Sequence, residues 1–350
     1  MKPFGFGIVG TGVISHFHAK AISEIGCAGI IGVYNHNISK AELFSKIYGG
    51  KVYPTLDDML GNPDIDIVSV CTPSGTHLEI ALKCIAAGKH CMIEKPLEIT
   101  TGRCDLIIDA AKAANVKVAV IFPSRFYEVN RQLKRSVEEQ RFGELVLGSA
   151  YVKWHRTKEY YQSGEWRGTW QYDGGGALMN QGIHSVDLLQ WVMGPIKSVQ
   201  AISANRYHKE IQVEDTVTAI MTFANGALGV IECTTAAFPG FFKRLEIIGT
   251  SGSAILEENS VLKWQFQNEL SHDEVFRNKQ CISNNSSGGV ADPASISHYG
   301  HKMQMIDFIN AVEENSDPLV DAVEGKKSVE IVTAIYRSAK SGEKIVLNTG

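Results

Sequence analysis

One lysine, Lys95, follows a short strand at a position where a parallel sheet presents side chains to ligands. Residues 91–93 are apolar and predict a buried strand, which ends at Glu94, Lys95 and Pro96 because proline has no backbone donor. Open parallel sheets bind ligands at the carboxyl ends of their strands. A partly desolvated lysine there can donate a hydrogen bond and release a proton near neutral pH. The residues alone also allow an ordinary solvated lysine.

His184, in the glycine-rich segment 173–187, is a second candidate for acid–base chemistry. Helical spacing puts Asn180, His184 and Asp187 on one face, where the amide or the carboxylate could orient the imidazole. Histidine titrates near neutral pH and therefore suits proton transfer, although a buried structural histidine fits the pattern as well. Because no second histidine or cysteine has ligand spacing to His184, we expect no metal.

Residues 10–15 form the pattern G-x-G-x-x-S between a predicted strand, 4–9, and a predicted helix that begins at His16. Gly10 would allow the tight turn, and Gly12 would let the backbone approach a pyrophosphate. Ser15 is small enough for close packing of the helix on the strand. Amides at the start of the helix would face the phosphates, so the sequence predicts a dinucleotide site.

The second predicted strand, 29–34, ends at Asn35, where an enzyme that uses NAD is expected to have an acidic residue for the ribose hydroxyls. With the amide of Asn35 in place of a carboxylate, the 2′-phosphate of NADP would not be repelled. No arginine follows, however, to bind such a phosphate. His36 and Lys40 are near. The residues leave the choice between NAD and NADP open, with a slight preference for NAD.

A largely apolar run, 65–70, predicts a doubly buried parallel strand. Its carboxyl end should lie beside that of the first strand, so Thr72, Pro73 and His77 would border the nicotinamide half of a cofactor. A satisfied histidine at the start of a helix is an equal alternative for His77.

Aromatic and cationic residues are interspersed between positions 153 and 172. Aromatic faces stack on sugars or nicotinamide, and cations bind phosphate or carboxylate. The alternative is that the aromatic side chains only pack at a domain junction. The residues are Lys153, Trp154, His155, Arg156, Lys158, Tyr160, Tyr161, Trp166, Arg167, Trp170 and Tyr172.

Strands and helices alternate from residue 4 to 122, which predicts a parallel Rossmann sheet and a first domain over 1–123. Residues 124–350 then show strands of period two, a pattern that favours an α+β domain with a large, mainly antiparallel open sheet. Asn225-Gly226 predicts a hairpin. The open face of this sheet predicts a homodimer or homotetramer, and the polar stretch 268–298 predicts a mobile loop.

The composition is that of a globular protein, with 44% hydrophobic and 21% charged residues and a net charge of −4. Dispersed Lys and Arg predict neither nucleic-acid nor membrane binding. Seven cysteines without a C-x-x-C pair, and no leader pattern at the first residues, predict reduced thiols and a cytoplasmic location.

The ordered motifs resemble those of the glucose–fructose oxidoreductase, inositol dehydrogenase and rhizopine catabolism (Gfo/Idh/MocA) family over nearly the whole chain. They are G-x-G-x-x-S, T-P-x-x-x-H, E-K-P, W-R and G-G-G-A-L-M-N-Q-G-I-H-x-x-D. The resemblance implies a Rossmann domain, an α/β domain whose open sheet forms oligomers, and NAD(P)-linked oxidation or reduction of sugars, polyols or sugar nucleotides. The W-R-G-T-W and M-N-Q-G-I-H runs resemble members that act on pyranosides, including UDP-linked uronates.

The resemblance implies that Lys95 is the catalytic lysine, often followed by a cis bond to Pro96, and that His184 belongs to the acid–base site. Many relatives have aspartate at the position of Asn180, so Lys95 becomes the main acid–base candidate here. The implied cofactor contacts are Gly10, Gly12, Val13, Ile14, Asn35, His36, Thr72, Pro73, His77, Glu94, Lys95, Trp166 and Arg167. The implied substrate contacts are Lys95, Arg125, Tyr160, Trp166, Asn180 and His184.

Two alternative functions remain from the sequence: a dinucleotide-binding regulator without catalysis, and a glycosidase that uses bound NAD transiently. Intact Lys95 and His184 argue against the regulator. Release of free NADH would separate a dehydrogenase from the glycosidase.

Overall fold

The computed structural model describes residues 3–278 and 297–347. The strands are β1 Phe4–Val9, β2 Ala28–Tyr34, β3 Lys51–Val52, β4 Ile67–Val70, β5 His90–Ile93, β6 Val118–Val120, β7 Leu145–Lys153, β8 Ile196–Ala204, β9 Thr216–Phe223, β10 Leu228–Thr234, β11 Arg244–Gly249, β12 Gly252–Glu257, β13 Ser260–Phe266 and β14 Ile345–Val346. The helices are α1 Val13–Ser23, α2 Ile38–Tyr48, α3 Leu56–Leu60, α4 His77–Ala86, α5 Thr101–Ala114, α6 Glu128–Glu138, α7 Lys158–Gln162, α8 Ile183–Met193, α9 Ser271–Asn278, α10 Tyr299–Glu313 and α11 Ala322–Ser341.

The chain divides into two compact units. The first contains residues 1–123 and 297–329, and the second contains 124–296 and 330–350. The division differs from the sequence prediction in the segment 297–329, which was assigned to the second domain. The physical reason is packing: Met305, Phe308 and Ile309 belong to the same buried cluster as Phe6 and Ile8 of β1.

The first unit contains a parallel sheet of the Rossmann type, with strand order β3-β2-β1-β4-β5-β6. Each neighbouring pair is parallel. The order reverses between β1 and β4, which is where sheets of this class bind their ligands. The predicted parallel sheet is confirmed, and its carboxyl edge presents the turns after β1, β2, β4 and β5.

The second unit contains an eight-stranded sheet of order β13-β12-β11-β7-β10-β9-β8-β14. All its pairs are antiparallel except β7 with β10, which confirms a mainly antiparallel sheet. Alternation is clear in β9, where Val217, Ala219 and Met221 are buried while Ile220 is 60% exposed. The hairpin predicted at Asn225-Gly226 joins β9 to β10, and Gly226 has a φ of +91°.

The loop predicted over 268–298 is wrong in its first part, because α9 occupies 271–278. This helix is held by Asp273, whose carboxylate pairs with Arg141 and accepts a hydrogen bond from the indole of Trp264 at 2.9 Å. Residues 279–296, with Cys281, lie outside the described residues. In the described ranges, no helix combines the length and the apolar character needed to cross a bilayer.

Candidate active site

The turn after β1 has the geometry that a phosphate-binding turn requires. Gly10 has a φ of +89°, and a Cβ there would lie 2.7 Å from the carbonyl oxygen of Cys71, so only glycine fits. A Cβ on Gly12 would meet no protein atom within 4 Å, which leaves open space beside the backbone. Ser15 is fully buried and donates its hydroxyl to the Gly12 carbonyl at 2.6 Å. These features fit a bound pyrophosphate.

The other predicted cofactor contacts near this turn differ in their burial and in their hydrogen bonds. The Asn35 amide donates to the hydroxyl of Thr11 at 2.5 Å and accepts from the backbone of Asn37 at 2.9 Å. This side chain therefore links the end of β2 to the turn. Val13 is 54% exposed, Ile14 is half-buried and His36 is exposed. Their cofactor roles stay predictions.

The loop after β4 is joined to the loop after β5 by His77. Its Nδ1 lies 2.9 Å from the carbonyl oxygen of Pro96, and its Nε2 lies 3.0 Å from that of Thr72. The ring is 1% exposed, so in this structure His77 connects two backbone segments, which matches the alternative of a satisfied histidine. Thr72 and Pro73 are half-buried at the same edge of the sheet.

Lys95 lies at the carboxyl end of β5, and the Lys95–Pro96 peptide bond is cis, as the resemblance implied. The lysine is half-buried. Glu94 is only 5% exposed, and its Oε1 lies 2.9 Å from Nε2 of His18. Its Oε2 accepts the backbone N–H of Lys95 at 3.1 Å. Both oxygens of the Glu94 carboxylate therefore have partners within the protein, and its role as a cofactor contact stays a prediction.

In the second unit, the segment predicted to bind anions forms a cluster of cations on aromatic rings. The Arg167 guanidinium lies 4.3 Å from the ring centre of Tyr160 and 4.4 Å from that of Trp166. It donates to the hydroxyl of Tyr160 at 2.7 Å and to that of Ser163 at 3.1 Å. Within the described parts of the chain, Arg167 has no carboxylate partner.

The same cluster continues into the glycine-rich segment. Arg156, which is 2% exposed, donates to Oε1 of Gln181 at 3.0 Å. The Gln181 amide donates to Tyr160 at 2.8 Å and to Asn180 at 3.0 Å. Asn180 in turn donates to the carboxylate of Asp173. This chain of polar contacts places Asn180, a predicted substrate contact, at one end of the cluster that contains Arg167.

His184 stands in the first turn of α8, directly after a π-helical turn over Ala177–Gly182. The carboxylate of buried Glu214 accepts the N–H groups of Gly176 at 2.8 Å and Leu178 at 2.9 Å. The Tyr336 hydroxyl donates to Glu214 at 3.0 Å. Burial raises the pKa of Glu214 to about 7, against the lowering effect of these donors.

Two residues predicted near His184 have another partner. Arg125, a predicted substrate contact, is 1% exposed and forms a two-pronged ion pair with Asp187 at 2.9 and 2.7 Å. Asp187 is fully buried. Its carboxylate therefore holds Arg125. The substrate role of Arg125 stays a prediction.

Sequence reasoning missed several residues that hold the site. His18 and His301 flank Glu94, while Glu214 and Tyr336 hold the turn before His184. His18 lies on the helix that follows the glycine turn, and no spacing motif in the sequence marks it. Tyr336 is 160 residues from Gly176, so only folding brings them together.

Comparisons with known proteins agree with this architecture. A family model described as "Oxidoreductase family, NAD-binding Rossmann fold" matches residues 4–122, and one described as "GFO/IDH/MocA C-terminal domain" matches residues 130–255. The chain is 26% identical to the D-glucoside 3-dehydrogenase of Escherichia coli, covering 99% of this chain and 98% of that one. It is 27% identical to the myo-inositol 2-dehydrogenase of Thermotoga maritima, covering 70% and 73%.

A solved structure is similar over almost the whole length. It is the WlbA dehydrogenase from Bordetella pertussis in complex with NADH and UDP-GlcNAcA, with a TM-score of 0.90 and 30% identity. The match covers 99% of this chain and 98% of that chain. Together with the two family models, this similarity shows that the chain belongs to the Gfo/Idh/MocA family and is an NAD(P)-dependent oxidoreductase with an NAD-binding Rossmann domain.

Proposed function

We propose that this enzyme moves a hydride between nicotinamide and a secondary hydroxyl or ketone on an acidic pyranoside, with a UDP-linked N-acetylated hexuronate as the favoured example. One observation carries the substrate class. The resemblance implied a cofactor contact for Arg167, and we assign it to the substrate instead. Its guanidinium is held on two aromatic rings with neutral partners only, within the described residues. A cation held in this way is prepared for an anionic group. The UDP-GlcNAcA bound by the WlbA dehydrogenase supports the same class.

Lys95 is the proposed acid–base residue at the substrate hydroxyl, and His184 is proposed to hydrogen-bond to the same oxygen. Asn180 cannot take up a proton near neutral pH, so it is proposed to bind substrate through its amide. Bound nicotinamide supplies the acceptor for the hydride. Proton transfer by a positioned side chain contributes a factor of roughly 10²–10⁴ to such reactions.

The proposed cofactor is NAD. Gly10, Gly12 and the first residues of α1 are proposed to hold its pyrophosphate through backbone N–H groups. The segment after β2 has no arginine to bind a 2′-phosphate. Hydrogen bonds to Thr11 and from Asn37 hold the side chain of Asn35. The proposed ribose site therefore has an amide in place of a carboxylate.

A second copy of the chain is the proposed partner of the open sheet face. Ile202 is 75% exposed, Ile220 is 60% exposed and Leu228 is 57% exposed. The register places all three on the same face, because Ile202 pairs with Thr218 and Leu228 pairs with Thr222. Replacing Ile220 with lysine should lower the mass measured by light scattering to that of the monomer. An unchanged mass would reject this face as the interface.

The substrate class is tested by NADH formation from UDP-N-acetylglucosaminuronic acid, UDP-N-acetylglucosamine and myo-inositol. We expect kcat/KM to be at least about 100-fold higher for the acidic sugar nucleotide, because the other two sugars carry no carboxylate for the half-buried guanidinium of Arg167. Arg167→Met should remove most of this preference. A preference for an uncharged sugar, or weaker NAD binding as the only effect of the substitution, would reject the proposal. Release of sugar without NADH would instead favour a glycosidase.

A further inference from the structure

Two histidines and a glutamate form a buried cluster inside the first unit, and the glutamate, Glu94, directly precedes Lys95 in the sequence. His18 of α1 is fully buried, Glu94 is 5% exposed and His301 of α10 is 6% exposed. The Nε2 of His18 lies 2.9 Å from Oε1 of Glu94, and that of His301 lies 3.9 Å from the same oxygen. The Nδ1 of His18 is 2.5 Å from the hydroxyl of Ser69 on β4.

The contacts define the charge of each member near neutral pH. Burial by itself would lower the pKa of His18, but the Cys71 thiol and Glu94 together raise it to about 10. Burial would raise the pKa of Glu94, but His18 lowers it to about 2. Burial and the charge of His18 lower the pKa of His301 to about 4. The cluster therefore holds one buried ion pair and one neutral imidazole.

A metal ion is a poor occupant for this cluster, although one ligand atom from each of its three members lies within 4.8 Å of the others. Both nitrogens of His18 already face protein oxygens, from Ser69 and Glu94. A protonated imidazole has no lone pair to give to a metal. The pair is better understood through its contact with the next residue, Lys95.

The carboxylate of Glu94 reaches Lys95 in two ways. Its Oε2 accepts the backbone N–H of Lys95 at 3.1 Å, which fixes the backbone where the lysine leaves β5. The charge of Lys95 is also among those that lower the pKa of Glu94. In general, a carboxylate favours the charged form of a neighbouring ammonium group, and an imidazolium disfavours it.

We propose that His18 and Glu94 are positioning residues for Lys95, and that the balance of their two opposite charges sets how readily its ammonium group releases a proton. The inference rests on the proposed acid–base role of Lys95. The groups that face the pair are Cys71 at the end of β4, His301 from α10 and Lys95 itself. His18 also ties the strand end to α1, the helix that begins at the phosphate-binding turn.

The test is the pH dependence of kcat/KM for sugar oxidation in Glu94→Gln and His18→Gln. In Glu94→Gln, which removes the carboxylate, the ascending limb of the plot of kcat/KM against pH should move to lower pH by about one unit. In His18→Gln, which removes the imidazolium, the same limb should move to higher pH by about one unit. A role confined to folding predicts lower kcat with an unmoved limb. Limbs that stay in place, or that move in the same direction in both variants, would therefore overturn the proposal.

The matched control is His301→Gln, which replaces an equally buried but neutral imidazole of the same cluster. Its limb should stay in place. Thermal unfolding and NAD binding measure whether each variant is folded, and if Glu94→Gln is not, the upward shift in His18→Gln carries the test alone. Turnover retained in Lys95→Ala would reject the role of Lys95 itself, so failure of the proposed function is distinguishable from failure of the positioning pair.

Discussion

The Nε2 of His18 and the Oε1 of Glu94 lie 2.9 Å apart and are 76 positions apart in the sequence. Both side chains are shielded from solvent. A buried ion pair is costly to break because the remaining charge is left without a partner, typically by about 3–5 kcal/mol. This pair therefore affects the stability of the first unit as well as the position of Lys95.

Stability should depend on pH through this pair. His18 has a raised pKa of about 10. Its contribution to the free energy of unfolding is therefore complete below the ordinary pKa of histidine and is lost as the pH rises toward 10. Glu94 has a lowered pKa of about 2. Its contribution to the free energy of unfolding is therefore complete above the ordinary pKa of glutamate and is lost as the pH falls toward 2. Urea unfolding of His18→Gln should show a lower free energy of unfolding, with less decline above neutral pH than the native chain. Equal slopes would contradict this assignment.

Lys95→Ala should reduce kcat by roughly 10²–10⁴-fold while NAD binding is retained, since a proton-transfer group is lost and the phosphate-binding turn is unchanged. His184→Ala should have a smaller effect, because its proposed part is to hydrogen-bond to the same oxygen. Single-turnover kinetics and NAD titration measure the two quantities. The control is Lys112→Ala, which replaces an exposed lysine of the first unit. A loss of kcat in the control as large as that in Lys95→Ala would show that the effect is not specific to Lys95.

Gly12→Ala and Gly10→Ala should separate ligand binding from folding. A Cβ on Gly12 meets open space, so the free energy of unfolding should change by less than about 1 kcal/mol while NAD affinity falls. A Cβ on Gly10 would lie 2.7 Å from a carbonyl oxygen at a φ of +89°, so this variant should be destabilised without any ligand. Unchanged NAD affinity in Gly12→Ala would place the pyrophosphate elsewhere.

Tyr336→Phe should loosen the turn that precedes His184. Its hydroxyl accepts the N–H of Met179 at 3.1 Å and donates to Glu214 at 3.0 Å, so these two groups lose a partner at a cost of about 1–3 kcal/mol. The Gly176 N–H keeps its bond to Glu214. We expect a lower unfolding free energy and a reduced kcat. Tyr207→Phe, at a residue 49% exposed, should change neither measurement. A stable Tyr336→Phe variant with full activity would show that the hydroxyl is not needed.

Asn180→Asp should introduce a second carboxylate beside that of Asp173. The Asn180 amide donates to Asp173, so the new carboxylate would face an existing one and the pKa of the pair would rise. The variant should be less stable than the native chain near neutral pH and should recover as the pH falls. Unfolding curves recorded near neutral pH and at acidic pH measure this difference. A destabilisation of equal size at the two pH values would argue against charge repulsion.

Much of the fold was predictable because it rests on local patterns. The turn over residues 10–15 and the alternation in β9 depend on backbone freedom and hydrophobic period, which neighbouring residues display. The segment 297–329 packs with the first unit, a contact that the sequence pattern does not show, because its apolar residues complete a core whose other half lies nearly 300 positions earlier. The strands β12 and β13 also escaped prediction, since β12 takes its register from β11 and β13 takes its register from β12.

The sequence by itself determined the class of chemistry: a glycine turn for a dinucleotide, a lysine at a strand end, and a histidine after a glycine run. Only the tertiary structure decided the environment of these groups. It buried Glu94 against His18 and enclosed Arg125 with Asp187. The physical reason is that charge state and exposure depend on atoms brought together from distant positions, and spacing along a chain carries no record of them.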